Sequence, residues 1–135
     1  MSEPLFHNAE LVIFDWDGTL VDSKGAIVGA IRGSLSDVGL EPAPDAELQQ
    51  GIGLGLAEAI RTLLPAYPEA VHEAVAEAYR QRFQGVTAAD MPLFPGAREG
   101  LAELDRQGRR LAVATGKSRR GLDRVLAEMG LEAVF

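Results

Sequence analysis

Leu11-Val12-Ile13-Phe14-Asp15-Trp16-Asp17-Gly18-Thr19 decides the reading of this chain. Four consecutive large apolar residues, two of them β-branched, suit a strand covered on both faces in a parallel sheet, whereas a half-exposed strand would alternate. Asp15 then stands at the carboxyl end of that strand, where open α/β sheets bind their ligands. Two carboxylates one residue apart can divide the work of group transfer, one as nucleophile or metal ligand and the other as proton donor and acceptor. Gly18 lets the chain turn sharply and approach a ligand closely. Thr19 adds a hydroxyl suited to phosphate. On these residues alone an ordinary strand-ending turn stays open, because Asp and Gly are favoured there for local reasons.

Outward from this stretch, residues 22–84 read as helical. Ile27, Ile31, Leu35 and Val38 recur at helical spacing, as do Leu56, Ile60, Leu63 and Leu64, and then Val71, Val75, Tyr79 and Phe83. Ser23 or Asp22 is placed to cap the first helix, and Gly39 to end it in a left-handed turn. Pro42 and Pro44 fall in the connection to a short helix, and Pro65 and Pro68 separate the second and third stripes. Beyond the block come a helix on Ala97, Leu101 and Leu104 ending near Gly108, a buried strand Leu111-Ala112-Val113-Ala114, and a helix on Leu122, Val125, Leu126 and Met129 ending at Gly130. A right-handed crossover sets the two strands side by side and brings Asp15 and Thr115 to one sheet edge. A sheet of two strands is marginal on its own, and its open edge invites self-association.

The strand followed by Asp15-Trp16-Asp17-Gly18-Thr19 resembles the first motif, Asp-x-Asp-x-Thr, of the haloacid dehalogenase-like hydrolase superfamily. Val12 through Ser23 reads like the opening of its phosphoglycolate phosphatase-like branch. Leu93-Phe94-Pro95-Gly96, then Leu101-Ala102-Glu103-Leu104, then Leu111-Ala112-Val113-Ala114-Thr115-Gly116-Lys117 resemble the Pro-Gly turn, helix and strand leading to the second motif. The resemblance implies an α/β fold, a Rossmann-like parallel-sheet core with an inserted α-helical cap. Residues 1–21 and 86–135 would form a partial core and residues 22–85 the cap, with hinges near 20–23 and 85–91. No residue matches the later motifs, a Lys and one or two acids, so the chain corresponds to the amino-terminal portion of such an enzyme.

The same resemblance implies a Mg²⁺-dependent phosphatase acting on a small phosphorylated metabolite. Asp15 would attack phosphorus and become an aspartyl-phosphate; Asp17 would protonate the leaving oxygen and later accept a proton from water. Asp15 and Asp17 would also bind the metal, the second through its backbone carbonyl. Gly18, Thr19, Thr115, Gly116 and Lys117 would hold the phosphate, although the place of Lys117 at the start of the next helix also suits a surface residue. In the cap, the loop Gly51-Ile52-Gly53-Leu54-Gly55, with Gly53 at its centre, can bring backbone N–H groups to a ligand. Arg61 and Lys24 are the cap cations nearest this role, with solvated surface charge as the competing reading. Asp17 argues against a dehalogenase, which has no leaving oxygen to protonate. A sugar phosphomutase, or a noncatalytic phosphate-binding module, remains the alternative.

Composition agrees with a globular chain. Apolar residues make up 47% and charged residues 24%, which excludes a disordered tract. A net charge of −7 without basic clusters disfavours nucleic acid and anionic membranes as partners. The absence of cysteine removes disulfide and thiol chemistry. Met1-Ser2-Glu3-Pro4 does not open a signal peptide, and no apolar run reaches the ~20 residues that span a bilayer. The expected location is cytoplasmic. His7, before the first strand, and His72, within a cap helix, are expected at the surface rather than in catalysis.

Overall fold

A computed structural model describes residues 8–135; His7 and the first four residues lie outside the described residues. β1 (Leu11–Phe14) and β2 (Arg110–Val113) form a two-stranded parallel sheet, with Val12 opposite Leu111 and Phe14 opposite Val113. Between them in sequence lie α1 (Lys24–Asp37), α2 (Asp45–Leu48), a 3₁₀ turn, α3 (Leu56–Leu63), α4 (Glu69–Phe83), a second 3₁₀ turn and α5 (Ala97–Arg106); α6 (Arg119–Met129) follows β2. This is a partial α/β core, two parallel strands joined by a helical crossover.

Apolar side chains gather in two clusters. One joins Val12 and Phe14 of β1 and Leu111 and Val113 of β2 to Leu101 of α5 and Val125 and Leu126 of α6, with Trp16, Val21 and Met91 fully buried beside them. The other joins Ile27, Ile31 and Leu35 of α1 to Leu48, Ile60 and Val75. Phe83, at the end of α4, packs against both.

The sheet departs from the expectation of two covered faces. Leu11 and Ile13 point away from the cluster and are 45% and 60% exposed. All the apolar helical side chains that pack on the sheet belong to the cluster on its other face, so the uninterrupted apolar run of β1 is only half used. Side-chain alternation along the strand then leaves every second residue in solvent.

The connections are well defined. The Trp16 carbonyl accepts the N–H groups of Thr19, Leu20 and Val21, at 3.2, 3.0 and 3.3 Å, which curls the chain into one tight turn after β1. The first stretch expected as a hinge is bonded to residues just beyond the second: Asp22 N–H donates to the Pro92 carbonyl at 2.8 Å and Phe94 N–H to that of Leu20 at 2.9 Å. Gly39, Gly108 and Gly130 follow their helices at φ 77°, 77° and 69°, the left-handed turn expected of them. Ser23 holds the N-cap position of α1 but makes no capping bond; its backbone is already helical and its hydroxyl is buried without a partner among the described residues. His72 is half-buried rather than on the surface. Its Nε2–H donates to the Leu64 carbonyl at 2.7 Å and ties α4 to the end of α3.

Candidate active site

Parallel pairing decides which side chains meet. Because Phe14 lies opposite Val113, and Ala114 N–H donates to the Phe14 carbonyl at 2.8 Å, the two strands end level. Asp15 and Asp17 leave β1 at the same sheet end at which Thr115, Gly116 and Lys117 leave β2. Asp15 is exposed there, and its Oδ1 accepts the Trp16 N–H at 2.8 Å, fixing the carboxylate over its own turn. Thr115 is half-buried, and its Oγ1 accepts the Lys117 N–H at 3.1 Å. Gly18 has φ 78°, and its N–H donates to the Val21 carbonyl at 2.9 Å; a side chain would be strained there. Thr19 is exposed on the same turn.

A cleft of about 770 Å³ opens between this sheet end and the helical block. Asp17 lines it from below, with Gly116, Lys117, Arg120 and Arg124. The glycine loop, including Gly53, lines it from above, together with Tyr79 and Phe83 of α4. The glycine loop touches the loop after β2 directly. A β-carbon on Gly116 would stand 2.6 Å from the Leu54 carbonyl carbon and 2.7 Å from the Gly55 nitrogen, so only glycine permits this approach. Arg61 is elsewhere, in an exposed ion pair with Glu69 at 3.2 Å, and Lys24 is exposed at the start of α1; neither lines the cleft.

Lys117 is half-buried, with its Nζ 4.8 Å from the centre of the Phe83 ring, a cation–π contact between the loop after β2 and α4. Burial pushes its pKa down; the Asp17 carboxylate opposes that, and Arg124 reinforces it. Burial, helped by Asp17, pushes the Tyr79 phenol up. Asp17 thus shares the cleft with a cation and a phenol that both respond to its charge. Its Oδ1 is buried and has no hydrogen-bond partner among the described residues. Of the charged side chains among the described residues that line the cleft, Arg80, Lys117, Arg120 and Arg124 are cations and Asp17 alone is an anion, inside a chain of net charge −7. Such a local reversal of sign favours an anionic ligand.

The donor set suits a hard cation. The Asp15 carboxylate and the Asp17 backbone carbonyl are oxygen ligands of the kind Mg²⁺ takes, Mg²⁺ retains several waters, and the unpartnered buried Oδ1 leaves the Asp17 side chain free for proton transfer. Among the described residues no group of three or more acidic, histidine or cysteine side chains gathers, so Asp15 and Asp17 are the whole acidic contribution.

Tyr79, Phe83 and Arg124 were not singled out by sequence as site residues. Tyr79 and Phe83 stack with ring centres 5.2 Å apart, and their i, i+4 spacing was legible only as part of a helical stripe. Arg124 sits among several arginines of α6 that are alike in sequence. Its half-burial, and the bond from its Nη2 to the Val86 carbonyl at 3.2 Å, depend on the tertiary fold.

The family profile described as haloacid dehalogenase-like hydrolase matches residues 12–135. The chain belongs to this family. Among similar proteins, the "Tyrosine-protein kinase PtkA" of Mycobacterium tuberculosis H37Rv is 39% identical over 127 residues, which are 93% of this chain and 42% of that one. The "Probable phosphatase IndB" of Dickeya dadantii is 39% identical over 129 residues, 93% of this chain and 56% of its own. The crystal structure of a predicted phosphoglycolate phosphatase from Haemophilus somnus superposes with a TM-score of 0.84 at 25% identity, covering 94% of this chain and 60% of that one. The chain therefore spans about half the length of the curated relatives it matches. No helix among the described residues is long and apolar enough to cross a membrane.

Proposed function

We propose that this site hydrolyses a small phosphate monoester through a covalent intermediate on Asp15. The observation that carries this reading is the level ending of β1 and β2, which brings two carboxylates and the Thr115–Lys117 turn to one end of the sheet, where Asp17, Gly116 and Lys117 line a cleft whose charge is locally reversed and Asp15 and Thr115 stand outside its lining. A carboxylate oxygen of Asp15 attacks phosphorus as the bond to the alcohol oxygen breaks, dividing one displacement into two. Asp17 gives that oxygen a proton, then takes one from the water that attacks the aspartyl-phosphate and releases phosphate. Thr115 and the Lys117 ammonium hold the phosphoryl oxygens where charge is shared in the transition state. Mg²⁺, held by Asp15 and Asp17, would offset the repulsion between carboxylate and phosphate dianion. A phosphoglycolate-like ester is the first to test, given the name of the structural relative.

Quenching a mixture of protein, Mg²⁺ and ester in acid should leave a chain heavier by one phosphoryl group, and Asp15→Asn should abolish both this adduct and phosphate release. An adduct that survives Asp15→Asn overturns the nucleophile. Asp17→Asn should lower turnover of alkyl esters by about 10²–10⁴-fold, the usual range for a lost general acid, and that of a nitrophenyl ester less, because nitrophenolate leaves without a proton. Similarity to a protein named a tyrosine kinase supports a second reading, transfer of the phosphoryl group to a tyrosine hydroxyl. Labelled ATP with a tyrosine peptide separates the two: label in the peptide favours the kinase, label in free phosphate the hydrolase.

A further inference from the structure

The cleft is two-sided in its chemistry. Next to the sheet end it is charged, with Asp17, Lys117, Arg120 and Arg124. Its helical walls are Ile27 and Ile31 of α1, Leu56 and Leu63 of α3, and Val75 of α4. No charged side chain of α1 or α3 lines the cleft, and the one from α4, Arg80, is exposed at the rim. Ser34 is the polar side chain that α1 adds, and its hydroxyl is already spent on the Ile31 carbonyl at 2.7 Å. A carboxylate or a ring of sugar hydroxyls placed among these walls would lose water without gaining partners, which is unfavourable. An apolar group there gains by leaving water.

From this we infer that the site selects phosphate monoesters whose alcohol carries an apolar group, branched alkyl or aryl, seated between α1, α3 and α4 while the phosphate lies against the Asp17 and Lys117 end. The inference rests on the phosphomonoesterase reading and names its substrate class. Size agrees with it: about 770 Å³ is within the range of pockets that enclose drug-sized ligands and far exceeds a two-carbon acid phosphate. Charge agrees as well, since Lys117, Arg120 and Arg124, three of the four lining cations, come from the segment after β2 and none comes from α1 or α3.

The test has a binding arm and a turnover arm, both on the full chain with Mg²⁺. In the first, calorimetry follows a series of n-alkylphosphonates, which cannot be hydrolysed; affinity should rise about fourfold for each methylene that leaves water, until the walls are filled. In the second, phosphate release is compared for the matching alkyl phosphates, 1-naphthyl phosphate and 2-phosphoglycolate, and kcat/KM should follow the same order with phosphoglycolate last. Leu63→Gln and Leu56→Trp, which polarise and fill the apolar side at half-buried positions, should each flatten the chain-length dependence; circular dichroism verifies that both fold. A flat phosphonate series, or phosphoglycolate turned over better than the hexyl and naphthyl esters, overturns the inference and leaves the hydrolase reading standing. A rising phosphonate series with no ester hydrolysed supports the apolar seat and overturns the hydrolase reading instead. Neither binding nor hydrolysis overturns both.

Discussion

Trp16 separates the two acids of the site and is 1% exposed, its ring meeting Phe135 edge-on at 6.3 Å while its carbonyl collects three backbone donors of the next turn. One residue thus anchors Asp15 and Asp17 in the core. Trp16→Ala should destabilise the chain by about 3–5 kcal/mol in urea unfolding, as large aromatic truncations do, and Trp16→Phe by clearly less. Lys117 makes a prediction of a different kind. Burial holds its pKa below the ordinary 10.5, so between the folded value and 10.5 the unfolded chain binds more protons than the folded one. Stability contributed by this residue therefore rises with pH through that window and is level below it. Tyr79 acts with the opposite sign above its ordinary 10.0, because the folded state keeps a proton that the unfolded state releases. Subtracting the stability–pH curve of Lys117→Met from that of the parent isolates the lysine: the difference should climb with pH below 10.5, and a flat difference would contradict its burial.

Contacts between elements carry the next set of consequences. Ala at position 116 would drive the loop after β2 into the backbone of Leu54 and Gly55. A displacement on the ångström scale at a reacting centre can lower rate by about 10²-fold, so Gly116→Ala should lose about that much kcat and, because the atoms it meets are backbone, should also lower the melting temperature. The α1–α4 contact behaves otherwise. Arg82 grips Asp37 through two bonds, of 2.6 and 2.7 Å, and its guanidinium lies over Gly33, where a β-carbon would come within 2.5 Å. The Arg82 bond, and secondarily its charge, lowers the pKa of Asp37, so the pair stabilises above the ordinary carboxylate value of 3.8 and fades as pH falls through the lower, folded value. Because an exposed pair contributes little and Ala exceeds Gly in a helix by about 1 kcal/mol, Gly33→Ala should raise the melting temperature at neutral pH while removing this acid-range dependence. Most of these elements were legible beforehand. The stripes of α1, α3, α4, α5 and α6 are strong repeats, and Gly39, Gly108 and Gly130 marked where helices stop. α2, at four residues, is too short to show a period, and only Pro42 and Pro44 before it pointed to a short helix there. The seat of Lys117 was hidden for another reason: it depends on Phe83, 34 positions earlier, and local pattern does not report a long-range ring contact. The run Leu11–Phe14 marked a strand correctly but not its exposure, since four apolar residues read alike whether one face or two is covered.

At the scale of the whole molecule, an acidic surface and an uncovered apolar face oppose each other. The −7 charge keeps copies apart at low ionic strength, and screening by salt weakens that repulsion. Leu11 and Ile13, with both strands of the sheet at an edge, offer the apolar and hydrogen-bonding surface on which copies can meet. Since salt screens charge and leaves hydrophobic burial intact, self-association should strengthen as salt is added, the reverse of an association held by ion pairs. Sedimentation velocity over a range of concentrations, at low and at high salt, reads this directly: the weight-average coefficient should climb with concentration, more steeply at high salt. Ile13→Lys, at a position already 60% exposed, places a charge on that face without disturbing the buried cluster and should return the coefficient to that of a monomer. Association that persists in Ile13→Lys, or that weakens with salt, would move the contact to another surface.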